Sequence, residues 1–366
     1  MSSKKDKSQL NDINFLKLAL SLAKKNEGLT GENPSVGCVI VSDNKIVSTG
    51  ATSIGGRPHA EANAINNLKG KHKNLIAYMT MEPCTHFGKT PPCTKKIINK
   101  KIKKVVYGIN DVDPRTAQKA YKQLKSKGIK VLKNVYQSEI KDFYRKYIYV
   151  KKNNLPYVIG KIACSNDNYI KSKSNKYLVD ENTLKVTHLL RFRNQGILIT
   201  YKTLNDDNPK LDCRLNGLKK FSPVKFIIDK NLKSKKNSFI FTKSKVKNYI
   251  FHNCFNQKII KSFNKKNIVL IRIKEDKNNN LNLNEILKKI YKLKIQTLLV
   301  EGGKKLTKEF TINNLFNEFY LLKSNKNLKN KAFLNISNTI RLLSLNFKNQ
   351  NLLDTYTNKD KIIRYF

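Results

Sequence analysis

The sequence predicts two consecutive α/β domains, the first a three-layer α/β/α sandwich. Three observations predict this. The chain has 366 residues, beyond the usual size of one domain. Strand and helix signals alternate up to residue 132, the order of a sheet covered by helices. The polar segment KKNNLP at 151–156 ends in Pro and separates this series from a second one. We set the boundary at 152, giving domains 1–151 and 152–366.

In the first domain, Ile13, Leu16, Leu20 and Ala23 recur at helical spacing within 12–26. SVGCVIV (35–41) and KIVSTGA (45–51) read as strands joined by a turn at Asp43-Asn44. A helix follows from His59 to Leu68, then the strand NLIAYMTM (74–81), a helix from Cys93 to Asn99 and the strand KVVYGI (104–109). Residues 116–127 read as a helix closed by Gly128, followed by the strand IKVL (129–132) and a short helix over 138–149. The second domain opens with the strand PYVIGKIA and a helix over 180–194. GILIT, VKFIID, SFIFT, NIVLIRI and QTLLV read as strands of a buried sheet. Leu283, Ile286, Leu287, Ile290 and Leu293 form the apolar stripe of a helix between the last two. Residues 324–366 are Lys/Asn-rich and yield no pattern.

The hydrophobic fraction of 39% suffices for ordinary cores. No run approaches the roughly 18 apolar residues of a membrane span. The first nine residues do not read as a secretory signal, so the expected setting is cytoplasmic, with no membrane partner. Lys+Arg number 73 against 26 Asp+Glu, a formal charge of +47. The lysines are spread along the chain and interleaved with asparagines rather than clustered as arginines on one element, so no specific nucleic-acid partner is expected. An anionic substrate suits such a field. Of six cysteines, only Cys84 and Cys93 lie close together, which suggests a metal site plus free thiols rather than disulfides.

The chemistry-bearing motif is PHAEANA (58–64) combined with MEPCTHFGKTPPC (81–93). His59, Cys84 and Cys93 offer one imidazole and two thiolates. Zinc takes N and S ligands tetrahedrally, and a catalytic site leaves the fourth position to water. Pro58 suits a first helical turn, placing His59 near a helix start, and Pro91-Pro92 mark another start at Cys93. Helix N-termini and the metal both favour thiolate. Glu61 is expected to reach the open position as a proton carrier rather than as a ligand. Zinc lowers the pKa of its water from about 15.7 to about 7. Attack on an amino-bearing ring carbon then needs a group that moves protons to the ring nitrogen and the leaving amine. A placed side chain contributes on the order of 10² to 10⁴ in rate.

The H-x-E…P-C…C arrangement resembles the cytidine/deoxycytidylate deaminase superfamily, whose usual second half is P-C-x-x-C. The longer loop from Thr85 to Pro92, with NPSVGCVIV from Asn33, resembles the bifunctional riboflavin-biosynthesis deaminase/reductases. That resemblance implies a cytidine-deaminase-like first domain whose pocket uses Asn33, His86 and Lys89, the last two facing a ribose phosphate. The family's D-P-N-P reads Asp111-Val112-Asp113-Pro114 here, and its Gly-containing turn is replaced by TAQKA at 116–120.

The second domain resembles the same family through Lys161, Ser165 and Asp167 in KIACSNDN, and through HLLRFRNQGILITYKTLNDDNPKLDCR from His188 to Arg214. A usual Gly is Asn168, and NKYLV (175–179) stands where the family has S-x-W-I-T. TLLVEGG (297–303) follows a strand and precedes a helix, where glycine amides can meet a phosphate. The resemblance implies a dihydrofolate-reductase-like fold that binds NADPH. It implies substrate contacts from Asn175, Arg191, Leu211, Arg214 and Glu301. It implies cofactor contacts from Ala163, Tyr177, Thr203, Asp207, Gly302 and Gly303. Tyr177 could stack on a ring, Arg191 and Arg214 suit phosphate clamps, and Asp207 is the candidate proton donor.

The implied enzyme is a homo-oligomer with one zinc per deaminase site. It deaminates a phosphoribosylated diaminopyrimidinone, then uses NADPH to reduce the ribosyl chain to ribityl. Two other readings stay open. One is the same zinc chemistry on another pyrimidine or a nucleic-acid base, with a degraded second half. The other is a nucleic-acid-binding module with a structural zinc, which needs a fourth ligand; His86 is the nearby candidate.

Overall fold

In a computed structural model of the chain, the described residues are 4–172, 178–244, 246–329, 332–353 and 359–366, with the side chains of 4–8 left aside. They form two compact units, Met1–Asn154 and Leu155–Phe366.

The first unit contains, in order, α1 (Lys4–Lys25), β1 (Gly37–Ser42), β2 (Lys45–Ala51), α2 (Ala60–Asn67), β3 (Ile76–Met81), α3 (Cys93–Asn99), β4 (Lys104–Ile109), α4 (Lys119–Lys125), β5 (Lys130–Lys133), α5 (Gln137–Phe143) and α6 (Arg145–Asn153). The sheet order is β2-β1-β3-β4-β5. The β1 strand runs antiparallel to both β2 and β3, while β3, β4 and β5 are parallel. Asp43 and Asn44 both take positive φ, 48° and 60°, the hairpin conformation expected of that turn.

Glycines show how closely the helices cover the sheet. A Cβ at Gly37 would lie 1.8 Å from the carbonyl oxygen of Ala19, so α1 rests directly on one face of β1. A Cβ at Gly50 would lie 2.3 Å from the carbonyl oxygen of Ala60, so α2 rests on the opposite face. Cys38 pairs with Gly50 and with Met79, which pairs with Tyr107, and these positions share the α2 face. Val39, Ile40, Met79, Val105 and Val106 fill the core between the layers. This is the expected α/β/α sandwich. The expected linker is different: residues 151–153 belong to α6, whose last turn carries Lys151 and Lys152, and the chain leaves the helix at Asn154 with φ 54°.

The second unit opens with β6 (Tyr157–Cys164), β7 (Tyr169–Ser172), α7 (Glu181–Arg193), β8 (Gly196–Thr200), α8 (Tyr201–Asp207) and β9 (Val224–Ile228). Next come α9 (Phe239–Thr242), β10 (Asn248–His252), α10 (Gln257–Ser262), β11 (Ile268–Arg272), α11 (Leu283–Lys292), β12 (Thr297–Val300) and α12 (Lys304–Ile312). The remaining elements are β13 (Glu318–Lys323), β14 (Ala332–Asn335), α13 (Ser337–Asn346), β15 (Gln350–Leu352) and β16 (Lys361–Tyr365). Among the described residues a nine-stranded sheet has the order β11-β10-β9-β8-β12-β6-β13-β16-β15. It is parallel from β11 to β13, and β16 and β15 close it antiparallel.

One expected strand is wrong. SFIFT forms the one-turn helix α9, where the amide of Phe241 and the hydroxyl of Thr242 both bond back to the Ser238 carbonyl. The strand is NYIFH, which forms β10. Adjacent parallel strands need a crossover, and the chain between β9 and β10 must therefore leave the sheet; SFIFT lies within that crossover.

Several carboxylates point inward. Asp12, Glu61, Glu82 and Asp113 are buried in the first unit, and Asp229, Glu318 and Asp360 in the second. Asp12 accepts bonds from Tyr78 Oη at 2.7 Å and Lys104 Nζ at 2.9 Å. Asp229 accepts from the amides of Lys233 and Ser234. Among the described residues no helix is long and apolar enough to cross a membrane, and the cysteines are free.

Candidate active sites

In the first unit, three chain segments converge at the carboxyl end of β3 and the starts of α2 and α3. His59 is the residue before α2, in extended conformation, with Pro58 preceding it. Pro58 is thus outside the helix rather than in its first turn, because the His59 backbone turns the chain into α2. Cys93 is the first residue of α3. His59 Nδ1 lies 3.6 Å from Cys84 Sγ and 3.4 Å from Cys93 Sγ. The three ligand atoms lie within 4.8 Å of one another. Tetrahedral zinc with Zn–S near 2.3 Å and Zn–N near 2.0–2.1 Å needs an N···S separation of about 3.6 Å. The donor set therefore fits zinc. The Cys93 amide, at the start of α3, donates to Cys84 Sγ at 3.3 Å. Cys93 and then His59 hold the Cys84 thiol down to about 4, in the thiolate form that metals take.

Glu61, in the first turn of α2, is 4% exposed. Burial, and then the neighbouring Cys84, pushes its carboxyl up to about 7. Asn33 donates from Nδ2 to the Gly56 carbonyl at 2.9 Å, which ties it three residues upstream of His59. His86 Nδ1 lies 3.2 Å from Thr116 Oγ1. Lys89 is exposed on the same loop, and Arg57 donates to Thr90 there at 2.6 Å.

The sequence reading passes over Glu82 as a structural centre. Its carboxylate accepts the amides of Asp111 at 3.1 Å, Gln118 at 2.9 Å and Ala120 at 3.0 Å. One residue before Pro83-Cys84, it fixes the 111–120 wall to the cysteine loop. The signal was a carboxylate standing between a strand and Pro-Cys. Gln118, inside the TAQKA segment, takes φ 61°, a left-handed conformation that favours glycine. The expected helix over 116–127 accordingly starts only at Lys119.

In the second unit, β6, β12 and β8 are adjacent parallel strands. Ala163, Glu301-Gly302-Gly303 and the α8 residue Thr203 thus sit at or just beyond the same carboxyl edge, where ligands bind open α/β sheets. A Cβ at Gly303 would meet nothing within 4 Å, which leaves room before the start of α12 for a phosphate group such as a dinucleotide carries. Gly302 is tighter, its Cβ position lying 2.7 Å from Leu306. The Thr203 amide bonds to Thr200 Oγ1 at 3.4 Å. Asp207 ends α8, 4.0 Å from Lys171 Nζ.

Arg191 and Glu301 come together beside the segment 211–214. Arg191 grips Glu301 through Nε at 2.7 Å and Nη2 at 2.9 Å, and its Nη1 donates to the Asp212 carbonyl at 3.3 Å. Lys161 Nζ adds a contact to Glu301 at 3.5 Å. This corrects the expectation that Arg191 is an open phosphate clamp: a buried guanidinium needs a counter-charge, and Glu301 supplies it. Arg214 is half-exposed beside Asp212. Leu211 is buried at φ 52°, a left-handed conformation unusual for leucine. Asn175 and Tyr177 lie outside the described residues.

Comparisons with known proteins bear on both units. Residues 10–109 match the profile of the cytidine and deoxycytidylate deaminase zinc-binding region, and 156–325 that of the RibD C-terminal domain. The riboflavin biosynthesis protein RibD of Aquifex aeolicus is 34% identical over 307 residues, covering 83% of this chain and 84% of that protein. RibD of Actinobacillus pleuropneumoniae is 31% identical, covering 81% of this chain and 79% of its own length. The crystal structure of a Thermotoga maritima diaminohydroxyphosphoribosylaminopyrimidine deaminase/5-amino-6-(5-phosphoribosylamino)uracil reductase superposes with a TM-score of 0.81 at 26% identity, covering 98% of this chain and 99% of that one. With a zinc-type donor set in one unit, a dinucleotide-type edge in the other and relatives spanning both, the chain belongs to the RibD family of riboflavin-biosynthesis proteins.

Proposed function

We propose that His59, Cys84 and Cys93 are the zinc ligands and Glu61 the proton carrier of a deaminase housed in residues 1–154, and that residues 155–366 house the reductase. The enzyme serves riboflavin biosynthesis with both activities, and its cofactors are zinc and NADPH. It acts on small phosphoribosylated pyrimidines. The observation that carries the residue assignment is the pair of distances from His59 Nδ1 to two sulfurs, 3.6 and 3.4 Å, with a buried carboxylate two residues along the chain.

When bound, zinc supplies an acidified water near neutral pH. Glu61 carries two protons in turn, one to the pyrimidine ring nitrogen and one to the departing amine, both coming from the water consumed. Asn33 offers a donor and an acceptor to the ring edge, and His86 and Lys89 face the ribose phosphate. In the reductase, Gly302, Gly303, Thr203 and Ala163 hold NADPH, which supplies the hydride. Arg214 reaches the substrate phosphate, while Glu301, kept anionic by Arg191 and Lys161, faces the sugar beside the Leu211 backbone. Asp207 is the proposed proton donor. A cytoplasmic homo-oligomer is part of the same reading.

Incubating the full chain with 2,5-diamino-6-(5-phosphoribosylamino)pyrimidin-4-one tests it. Ammonia is released without NADPH, and NADPH is oxidised only after deamination. Ammonia from free cytidine, with none from this compound, overturns it.

A further inference from the structure

The first unit continues beyond the segment that matches the deaminase zinc-binding profile, which ends at residue 109. Within that continuation, Tyr144 stands at the junction of α5 and α6, and Tyr147 and Lys151 lie on α6. Spacings of three and four put these residues along one helical stripe. Tyr144 is 2% exposed and Tyr147 9%, and each phenol bonds to a different segment beside the candidate deaminase site.

Tyr144 Oη donates to the Ser35 carbonyl at 2.8 Å and lies 2.6 Å from Thr80 Oγ1. Thr80 Oγ1 accepts the Gly37 amide at 3.2 Å. An amide only donates and a carbonyl only accepts, so the order of protons is determined. The Gly37 N–H points to Thr80, the Thr80 O–H to Tyr144, and the Tyr144 O–H to Ser35. Such chains strengthen cooperatively. This one ties the backbone on both sides of Val36, three residues beyond Asn33, to β3, which leads into Cys84.

The other phenol reaches the 111–116 segment. Tyr147 Oη donates to Asp111 Oδ1 at 3.0 Å, the same oxygen that accepts the Asp113 amide at 3.0 Å. Lys151 adds an ion pair to Asp113 at 3.3 Å. The segment then runs on to Thr116, whose hydroxyl meets His86.

We propose that Tyr144 and Tyr147 are positioning residues of the deaminase: together they fix the span between the Asn33 segment and the Asp111–Thr116 segment, and so set affinity for the phosphoribosylated pyrimidine without touching it. This rests on the reading of Asn33 and His86 as substrate groups. Burial of the rings alone is a packing role, and a Phe substitution keeps the ring while deleting the hydroxyl.

The test is steady-state ammonia release by the zinc-loaded full chain carrying Tyr147→Phe or Tyr144→Phe. A net hydrogen bond is worth about fivefold in an equilibrium constant. Tyr147→Phe is expected to raise KM about fivefold. Its kcat, zinc content and NADPH oxidation on the deaminated compound stay within twofold of wild type. Tyr144→Phe, which strands the Thr80 hydroxyl and the Ser35 carbonyl, is expected to raise KM further. Wild-type KM in both variants overturns the proposal. So does a loss of zinc and kcat at unchanged KM, which would mark a packing role. A wild-type protein that releases no ammonia from this compound removes the underlying reading and this inference with it, whereas active wild type isolates the tyrosines.

Discussion

Two interior glutamates, one per unit, are shifted in opposite directions by their surroundings. Among the described residues Glu61 has no arginine or lysine ion pair, and burial with Cys84 beside it pushes its carboxyl up to about 7. Glu301 is also desolvated, but Arg191 and then Lys161 outweigh burial and hold it down to about 2. The contrast separates two uses of one side chain. A carboxyl balanced between its forms exchanges protons, while one gripped by cations is a permanent anion that orients its neighbours.

Removing the first carboxylate gives the largest effect. Glu61→Gln is expected to lower ammonia release by about 10² to 10⁴-fold, the usual scale for a lost proton carrier. Metal analysis should find zinc retained, and NADPH oxidation on the deaminated compound should be unchanged. Near-normal ammonia release would break the comparison.

Glu301→Gln comes next. It removes the carboxylate that pairs Arg191 and Lys161 in the interior, which costs about 3–5 kcal/mol in comparable buried pairs. Denaturant titration of the full chain reads this as early unfolding of the second unit. The pH dependence has a definite sign. Because the folded carboxyl lies below its ordinary value of 4.5, its contribution is present above that pH. It fades as pH falls toward about 2, the folded value. Wild type and variant should therefore converge in acid, and parallel curves down to pH 2 would refute the assignment.

The smallest expected effect concerns the loop held by a third buried carboxylate, Glu82. Gln118→Gly relieves a left-handed backbone and is expected to stabilise by about 1 kcal/mol, seen as a higher melting temperature. Deamination should stay within twofold, since the amides bonded to Glu82 remain.

Much of the first unit was legible because its signals are local. His59, Glu61, Cys84 and Cys93 occupy a short stretch with diagnostic spacing, and α3 and β4 begin and end where the pattern placed them. The second unit was harder because its site is assembled from distant segments. Nothing in the residues around Arg191 reveals that Glu301, more than a hundred positions away, fills its guanidinium fork. SFIFT and NYIFH have equal strand character, and only the need for a crossover between β9 and β10 decides between them. Tyr144 and Tyr147 fall in a segment that reads only as a short helix; their hydroxyl partners come from distant chain segments that helical spacing cannot reveal.

The inward-facing acids also bear on how a substrate arrives. With Asp12, Glu82, Asp113, Asp229 and Glu318 withdrawn into the interior, the outer layer is even more one-sided than the overall +47 conveys. Such a field gathers phosphate-bearing small molecules before contact, and dissolved ions dim it over about 8–10 Å. The encounter rate is therefore a property of the whole coat of lysines, tuned by ionic strength and indifferent to any one residue of it.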